Sequence, residues 1–126
     1  DWYQAQCDFV NTLDLTAYYD LPLFRDEAAV YTVELYKRKK ILLPEAELLL
    51  YGDRITITAG EREMVFPFTE TAAVTVLGRN KLNIYAGDQV YQIKGGKRFN
   101  ALKYVNMYHR AKNLQEGNEH EQFLGL

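Results

Sequence analysis

Serine is missing altogether from these 126 residues, and cysteine occurs once, at Cys7. With no serine, and with one thiol that has no base beside it in sequence, nothing nominates a nucleophilic triad. A single cysteine cannot close an internal disulfide, which favours a reducing compartment. Cys7 reads as a small buried hydrophobe. The two histidines, His109 and His120, are far from Cys7 in sequence. His120-Glu121 lacks the second histidine of a helical zinc motif, because position 124 is Leu124. Gly96-Lys97 is followed by Arg98 rather than Ser or Thr, and Tyr91 stands where a phosphate-binding loop needs glycine. Long apolar runs are absent too. Ile41–Leu43 and Leu48–Leu50 are short, while a membrane-spanning helix needs about 20 apolar residues. Metal, cofactor and catalytic roles within these residues are therefore not expected.

What is present fits one globular domain: 48% of residues are hydrophobic and 25% charged. The chain begins at Asp1, and nothing near it resembles a signal peptide. That start suits either a trimmed short protein or a piece of a longer one. No internal repeat or low-complexity segment stands out.

The net charge of −2 hides an asymmetry. Residues 1–36 carry seven acids against Arg25, and residues 79–112 carry eight bases against Asp88. The two blocks can attract each other within the fold, or the basic block can face an anionic partner. Sequence order alone does not choose between them.

Residues 1–28 read as a helical or linker segment, with Trp2, Phe9, Val10 and Leu13 near helical spacing and Pro22 limiting any helix. From Ala29 the period changes to two. Strands are expected at Val30–Lys37, Ala46–Tyr51, Arg54–Ala59, Arg62–Phe68, Ala72–Leu77, Lys81–Ala86 and Gln89–Lys94, with Ile41–Leu43 a short apolar run ended by Pro44. Gly87-Asp88 is a tight hairpin signal. Lys97 to about Leu114 reads as a helix whose inner face is Ala101, Leu102, Val105, Tyr108 and Lys112, with Lys103 and Arg110 off it. Residues 115–126 form a tail that frays, with an apolar end at Phe123–Leu126. About seven short antiparallel strands followed by one helix predict a mainly β protein, a small barrel stoppered by the helix over residues 29–114.

The run Glu47–Ile57 and the segment Val65–Val74, followed in order by the Leu82–Lys94 hairpin and the helix, resemble PH-like domains of the GRAM and bacterial PH type. That resemblance covers roughly residues 29–113 and implies a PH-like split barrel. A narrower likeness, over Leu77–Tyr85, Tyr91–Tyr104 and Phe123–Leu126, is to the C-terminal extension of bacterial 1-acylglycerol-3-phosphate acyltransferase-like proteins. It implies an accessory module of a phospholipid-biosynthesis enzyme. The His-x-x-x-x-Asp signature of that enzyme's catalytic domain is absent, since Leu114 and Gly125 stand five positions after the two histidines.

Two basic clusters are candidate contacts. Lys37, Arg38, Lys39 and Lys40 fall at an expected strand-to-strand turn, which in PH-like folds often holds an anionic headgroup. Adjacent bases also suit an acidic membrane surface. Lys97 and Arg98, with Lys94, lie beside the expected helix start. A solvated turn accounts for either cluster equally simply. The expected function is a noncatalytic docking module, cytoplasmic or peripheral at a membrane. Its expected partners are a catalytic domain in the same chain or another protein, or anionic lipid. Part of an acyltransferase substrate site and an oligomerisation domain are the alternatives. Nucleic acid is not an expected partner, because net charge is negative and the tyrosines sit where strand packing explains them.

Overall fold

Alternating apolar residues separated by glycine turns fold here into one curled antiparallel sheet. The computed structural model describes the backbone of residues 1–34 and 38–123, with side chains described up to residue 114. The elements are α1 (Trp2–Thr12), a 3-10 turn (Leu15–Tyr18), β1 (Phe24–Val33), β2 (Lys39–Leu50), β3 (Arg54–Ala59), β4 (Arg62–Pro67), a second 3-10 turn (Phe68–Glu70), β5 (Ala73–Val76), β6 (Lys81–Ala86), β7 (Gln89–Gly95) and α2 (Ala101–Phe123). The strand order is β4-β3-β2-β1-β7-β6-β5, and every pairing is antiparallel. The result is the expected half-closed barrel with a helix over its open end, plus an N-terminal helix.

Register explains the core. Leu48 pairs with Ile57 and Leu50 with Ile55, while Leu82 pairs with Ile93, so all six point to the concave side and are buried. Across the barrel the Phe66 ring of β4 meets Tyr91 of β7 edge-on at 5.2 Å. From above, Ala101, Tyr104, Met107 and Tyr108 of α2 fill the remaining opening. The Tyr108 hydroxyl donates to the carbonyls of Thr71 (2.9 Å) and Ala72 (3.0 Å) ahead of β5, and its ring packs edge-on against Phe68. These contacts fasten the helix to the segment that joins the sheet's two edges. Gly60 and Gly87 adopt positive φ in the β3–β4 and β6–β7 hairpins, where a side chain would be strained.

The structure corrects several element readings. β1 starts at Phe24, upstream of the expected Ala29, because Phe24 through Ala28 pair with Leu50 through Ala46. Pro44 does not end a strand. It lies within β2, at an irregularity where Leu43 pairs with Val30 and Ala46 with Ala28, so Pro44 and Glu45 face the single residue Ala29. Such a bulge tolerates proline, which has no ladder N–H to give. Lys39 and Lys40 belong to β2 rather than to a turn. The helix starts at Ala101, not Lys97, because Lys97 and Arg98 form a turn in which the Phe99 N–H donates to the Gly96 carbonyl at 3.1 Å. It then continues to Phe123, past the expected end near Leu114. The expected apolar tail at Leu124–Leu126 lies outside the described residues.

The N-terminal stripe also differs. Asp1 caps α1, accepting the Gln4 N–H at 2.8 Å. Cys7, Val10 and Leu13 are buried, as expected for the thiol, but Trp2 and Phe9 are about half exposed. Helical rotation puts positions 7 and 10 on the side that meets α2, leaving 2 and 9 on the other. The helix is held by Arg110, which donates to the carbonyls of Val10 and Leu13, both at 2.7 Å. Asn100 adds a bond to the Tyr3 carbonyl at 3.2 Å.

Candidate functional site

β1 and β7 define two ends of the barrel. Val33 pairs with Val90 at one end, and Ala28 pairs with Gly95 at the other. The β1–β2 hairpin projects from the first end and is closed by the Glu34 N–H donating to the Arg38 carbonyl at 2.7 Å. Arg38, Lys39 and Lys40 are exposed there. Lys37 lies outside the described residues. Lys39 sits opposite Val33 and Lys40 opposite Thr32. The next residue, Ile41, is opposite Tyr31 and 52% exposed, an apolar side chain directly behind the bases. Among the described residues none of the three bases is in an ion pair. The β6–β7 turn lies at the same end and adds Asp88, whereas the β3–β4 turn at Gly60 lines a groove with Lys94 and Gly96 at the other end.

The second cluster lies at the opposite end. Lys97 and Arg98 are exposed in the turn between β7 and α2. The β5–β6 turn is bound directly to that segment. The Gly95 N–H donates to the Asn80 carbonyl at 2.9 Å, Asn80 Nδ2 to the Gly95 carbonyl at 3.4 Å, and the Ala101 N–H to the Arg79 carbonyl at 2.9 Å. Lys81 then pairs directly across from Lys94. Five bases, Arg79, Lys81, Lys94, Lys97 and Arg98, are thus gathered at one end. The two clusters singled out from the sequence lie toward opposite ends of β7. They are separated by the length of β7, roughly 17 Å for five residue steps at strand spacing.

Acidic groups border the second cluster. A groove of about 570 Å³ holds Lys97 and Arg98 on one side and Asp26, Glu27 and Glu47 on the other. Two of these acids are already engaged. Arg25 Nη1 lies 2.8 Å from Glu47 Oε1, and Lys103 Nζ lies 3.0 Å from Asp26 Oδ2.

The Lys103–Asp26 pair is the electrostatic feature that sequence reading missed. Lys103 was expected off the helix's inner face but is 1% exposed, whereas Leu102, expected on that face, is about half exposed. The ammonium also stands 4.0 Å over the Phe24 ring, and the Tyr104 hydroxyl donates to the same Asp26 oxygen. Burial, then the Asp26 charge and this hydrogen bond, push the Tyr104 phenol well above the usual tyrosine range. The acidic head and basic block therefore do attract each other within the fold, at this pair. The only sequence signal was a lone base on an otherwise apolar helix face. His109 is exposed, and among the described residues no cluster of His, Cys, Asp and Glu is arranged to hold a metal ion.

Solved structures share this architecture. The chain matches the N-terminal PH domain of human ARAP2 at 17% identity and a TM-score of 0.51, over 72% of this chain and 81% of that one. It matches a structure of Vav1 inhibited by an allosteric inhibitor at 13% identity and the same TM-score, over 79% of this chain but only 28% of the Vav1 chain. The fold is PH-like. No protein-family model matches the chain. No curated protein sequence matches it either. Neither of the two structures is described as an acyltransferase.

Proposed function

We propose that this chain is a noncatalytic docking module that attaches to anionic phospholipid surfaces through the β1–β2 hairpin. The single observation behind the reading is that Arg38, Lys39 and Lys40 are exposed, outside any described ion pair, and backed by the half-exposed Ile41. Lys37 continues the same run in sequence. Exposed Lys and Arg exchange their hydration for phosphate oxygens with little reorganisation, and each contributes about 1 kcal/mol near an anionic bilayer. Four bases give about 4 kcal/mol, which corresponds to association in the millimolar range. Such an attachment is reversible, steeply salt-dependent and suited to working beside a second contact, such as a partner protein. The reading puts the module in the cytoplasm, peripheral at a membrane. Among the described residues no helix is long and apolar enough to cross one. The finer reading, an accessory module of an acyltransferase-like protein, has the sequence likeness alone behind it.

The test is sedimentation with vesicles of phosphatidylcholine, with and without phosphatidylserine. The chain is expected to sediment only with the anionic vesicles and to be released as salt rises from about 50 to 300 mM. The variant Arg38→Glu/Lys39→Glu/Lys40→Glu should lose at least a hundredfold in binding, at about fivefold per removed base before the added repulsion. Undiminished binding by that variant would remove the hairpin from the function.

A further inference from the structure

The outer face of the neighbouring strands β2, β1, β7 and β6 lies away from both helices, since α2 fills the concave side and α1 rests against α2. Strand register sorts this face into rows. Lys39, Val33, Val90 and Tyr85 stand opposite one another in the row nearest the hairpin tip. Ile41, Tyr31, Gln92 and Asn83 form the next row. Their chain neighbours Val30, Leu82, Ile84 and Ile93 are buried on the concave side, so alternation turns both rows outward. In the second row Gln92 Nε2 donates to Asn83 Oδ1 at 3.1 Å, and both residues are buried although they point outward. The two amides satisfy each other. The accessible part of these rows therefore belongs to the tyrosines, the aliphatic side chains and Lys39.

Lys39 and Ile41 are hairpin residues, so this face continues the docking surface proposed above without a break. A third row holds Ala29, Lys94 and Lys81. Glu27, Glu45 and Glu47 line the groove beside Lys94, so charge of both signs stands there. The attraction for an anionic surface comes from Arg38, Lys39 and Lys40, and the β6–β7 turn at that end adds only Asp88. Successive rows are about 7 Å apart, comparable to the headgroup layer of one leaflet at roughly 7 Å. A bilayer that takes Lys39 among its phosphates therefore also reaches Ile41 and Tyr31. Tyrosine suits that depth, because its ring is apolar and its hydroxyl stays hydrated.

From this continuity we infer that the outer sheet face, and not the hairpin tip alone, lies against the anionic phospholipid surface, with Val33, Val90, Tyr85, Ile41 and Tyr31 entering the headgroup layer beside Lys39. The inference rests on the docking function proposed above and adds its orientation. The sheet lies along the bilayer instead of standing on its hairpin end.

Tryptophan fluorescence reads orientation separately from binding. The chain has one tryptophan, Trp2 on α1, next to Tyr3, whose hydroxyl donates to the Lys97 carbonyl at the barrel's other end. The variant Trp2→Phe/Tyr31→Trp moves the reporter to the second row of the sheet face. With phosphatidylserine-containing vesicles at low salt, its emission should shift to shorter wavelength and be quenched about twofold by lipids brominated high on the acyl chain. The wild-type chain, reporting from Trp2, should sediment with the same vesicles and stay unquenched. In a second measurement Tyr31→Ala/Tyr85→Ala, with the hairpin bases intact, should bind these vesicles about tenfold more weakly. Its far-UV circular dichroism checks the fold, and if it misfolds the reporter variant, which keeps a ring at position 31, carries the test. A reporter that stays unquenched on a chain that sediments overturns the inference and leaves the hairpin function standing. So does full-strength binding by the folded alanine variant. Quenching of Trp2 in the wild-type chain would put α1 at the bilayer and overturns the inference as well. A wild-type chain that does not sediment at all overturns both readings.

Discussion

Lys103 of α2 and Asp26 of β1 meet as a buried ion pair, Nζ to Oδ2, at 3.0 Å. The pair ties the helix that covers the barrel to the strand at the centre of the sheet order. Its geometry is tightly specified. The carboxylate oxygen also accepts the Tyr104 hydroxyl, and the ammonium faces the Phe24 ring. Each charge therefore has more than one partner, which a buried ion needs in order to offset its lost hydration.

Removing either member alone should be costly, because it strands the other. Lys103→Met is expected to destabilise the fold by about 3 kcal/mol, and Asp26→Leu by a similar amount. The double variant Asp26→Leu/Lys103→Met should recover most of that loss, since an apolar pair of similar volume has no charge to desolvate. Urea unfolding of the three variants makes a double-mutant cycle. Strictly additive losses would mean that the pair does not couple α2 to β1.

Arg110 does for α1 what Lys103 does for β1. Its two bonds to the carbonyls of Val10 and Leu13 satisfy groups at the helix's C-terminal end, which has no basic residue of its own in the last turn. Arg110→Met keeps the stem and removes the donors. Stability should fall by about 1–3 kcal/mol. Amide exchange should rise selectively in residues 2–13, with β6 and β7 unchanged. Equal protection loss across the sheet would contradict a local role.

The parts of this fold that could be read in the sequence are those where local and tertiary signals agree. Ile55 and Ile57 alternate against Thr56 and Thr58, and Leu82 and Ile84 against Asn83 and Tyr85. Gly60 and Gly87 sit at the turns between such segments. The unreadable parts are those where a charge faces inward. Asp26 breaks the alternation that would have revealed the start of β1, and Lys103 looks like a solvent-facing helix residue until its partner is known. Pro44 carries a stop signal that a bulge overrides. Of the candidate site, the hairpin run Lys37–Lys40 is contiguous and was visible. The joining of Arg79 and Lys81 to Lys94, Lys97 and Arg98 depends on strand register and on the Asn80–Gly95 bonds, which no local pattern encodes.

Gly95 and Gly96 are neighbours with opposite tolerances. A β-carbon on Gly95 would collide with the side chain of Phe99, which is itself buried, whereas one on Gly96 would meet nothing within 4 Å. Gly95→Ala must displace a packed aromatic ring and should cost about 1–3 kcal/mol. Gly96→Ala should change stability by less than about 0.5 kcal/mol. Thermal melts of the two variants check the contrast, and equal effects would mean that Phe99 yields without cost.

Alkaline pH offers a direct reading of the Tyr104 site. Its phenol is held well above the ordinary value by burial, by the Asp26 carboxylate and by the hydrogen bond to it. In the unfolded chain the same group ionises near pH 10. Because the folded value is the higher one, this contribution to stability is complete below about pH 10. It declines as pH rises from there toward the folded value, at up to about 1.4 kcal/mol per pH unit. Tyr104→Phe removes this proton linkage. Although the variant is less stable at pH 7, its unfolding free energy should therefore fall less steeply between pH 10 and 11.5 than that of wild type. Phenolate absorbance should show the Tyr104 proton leaving only as the chain unfolds. Parallel slopes for the two proteins would mean that Tyr104 ionises at its ordinary value.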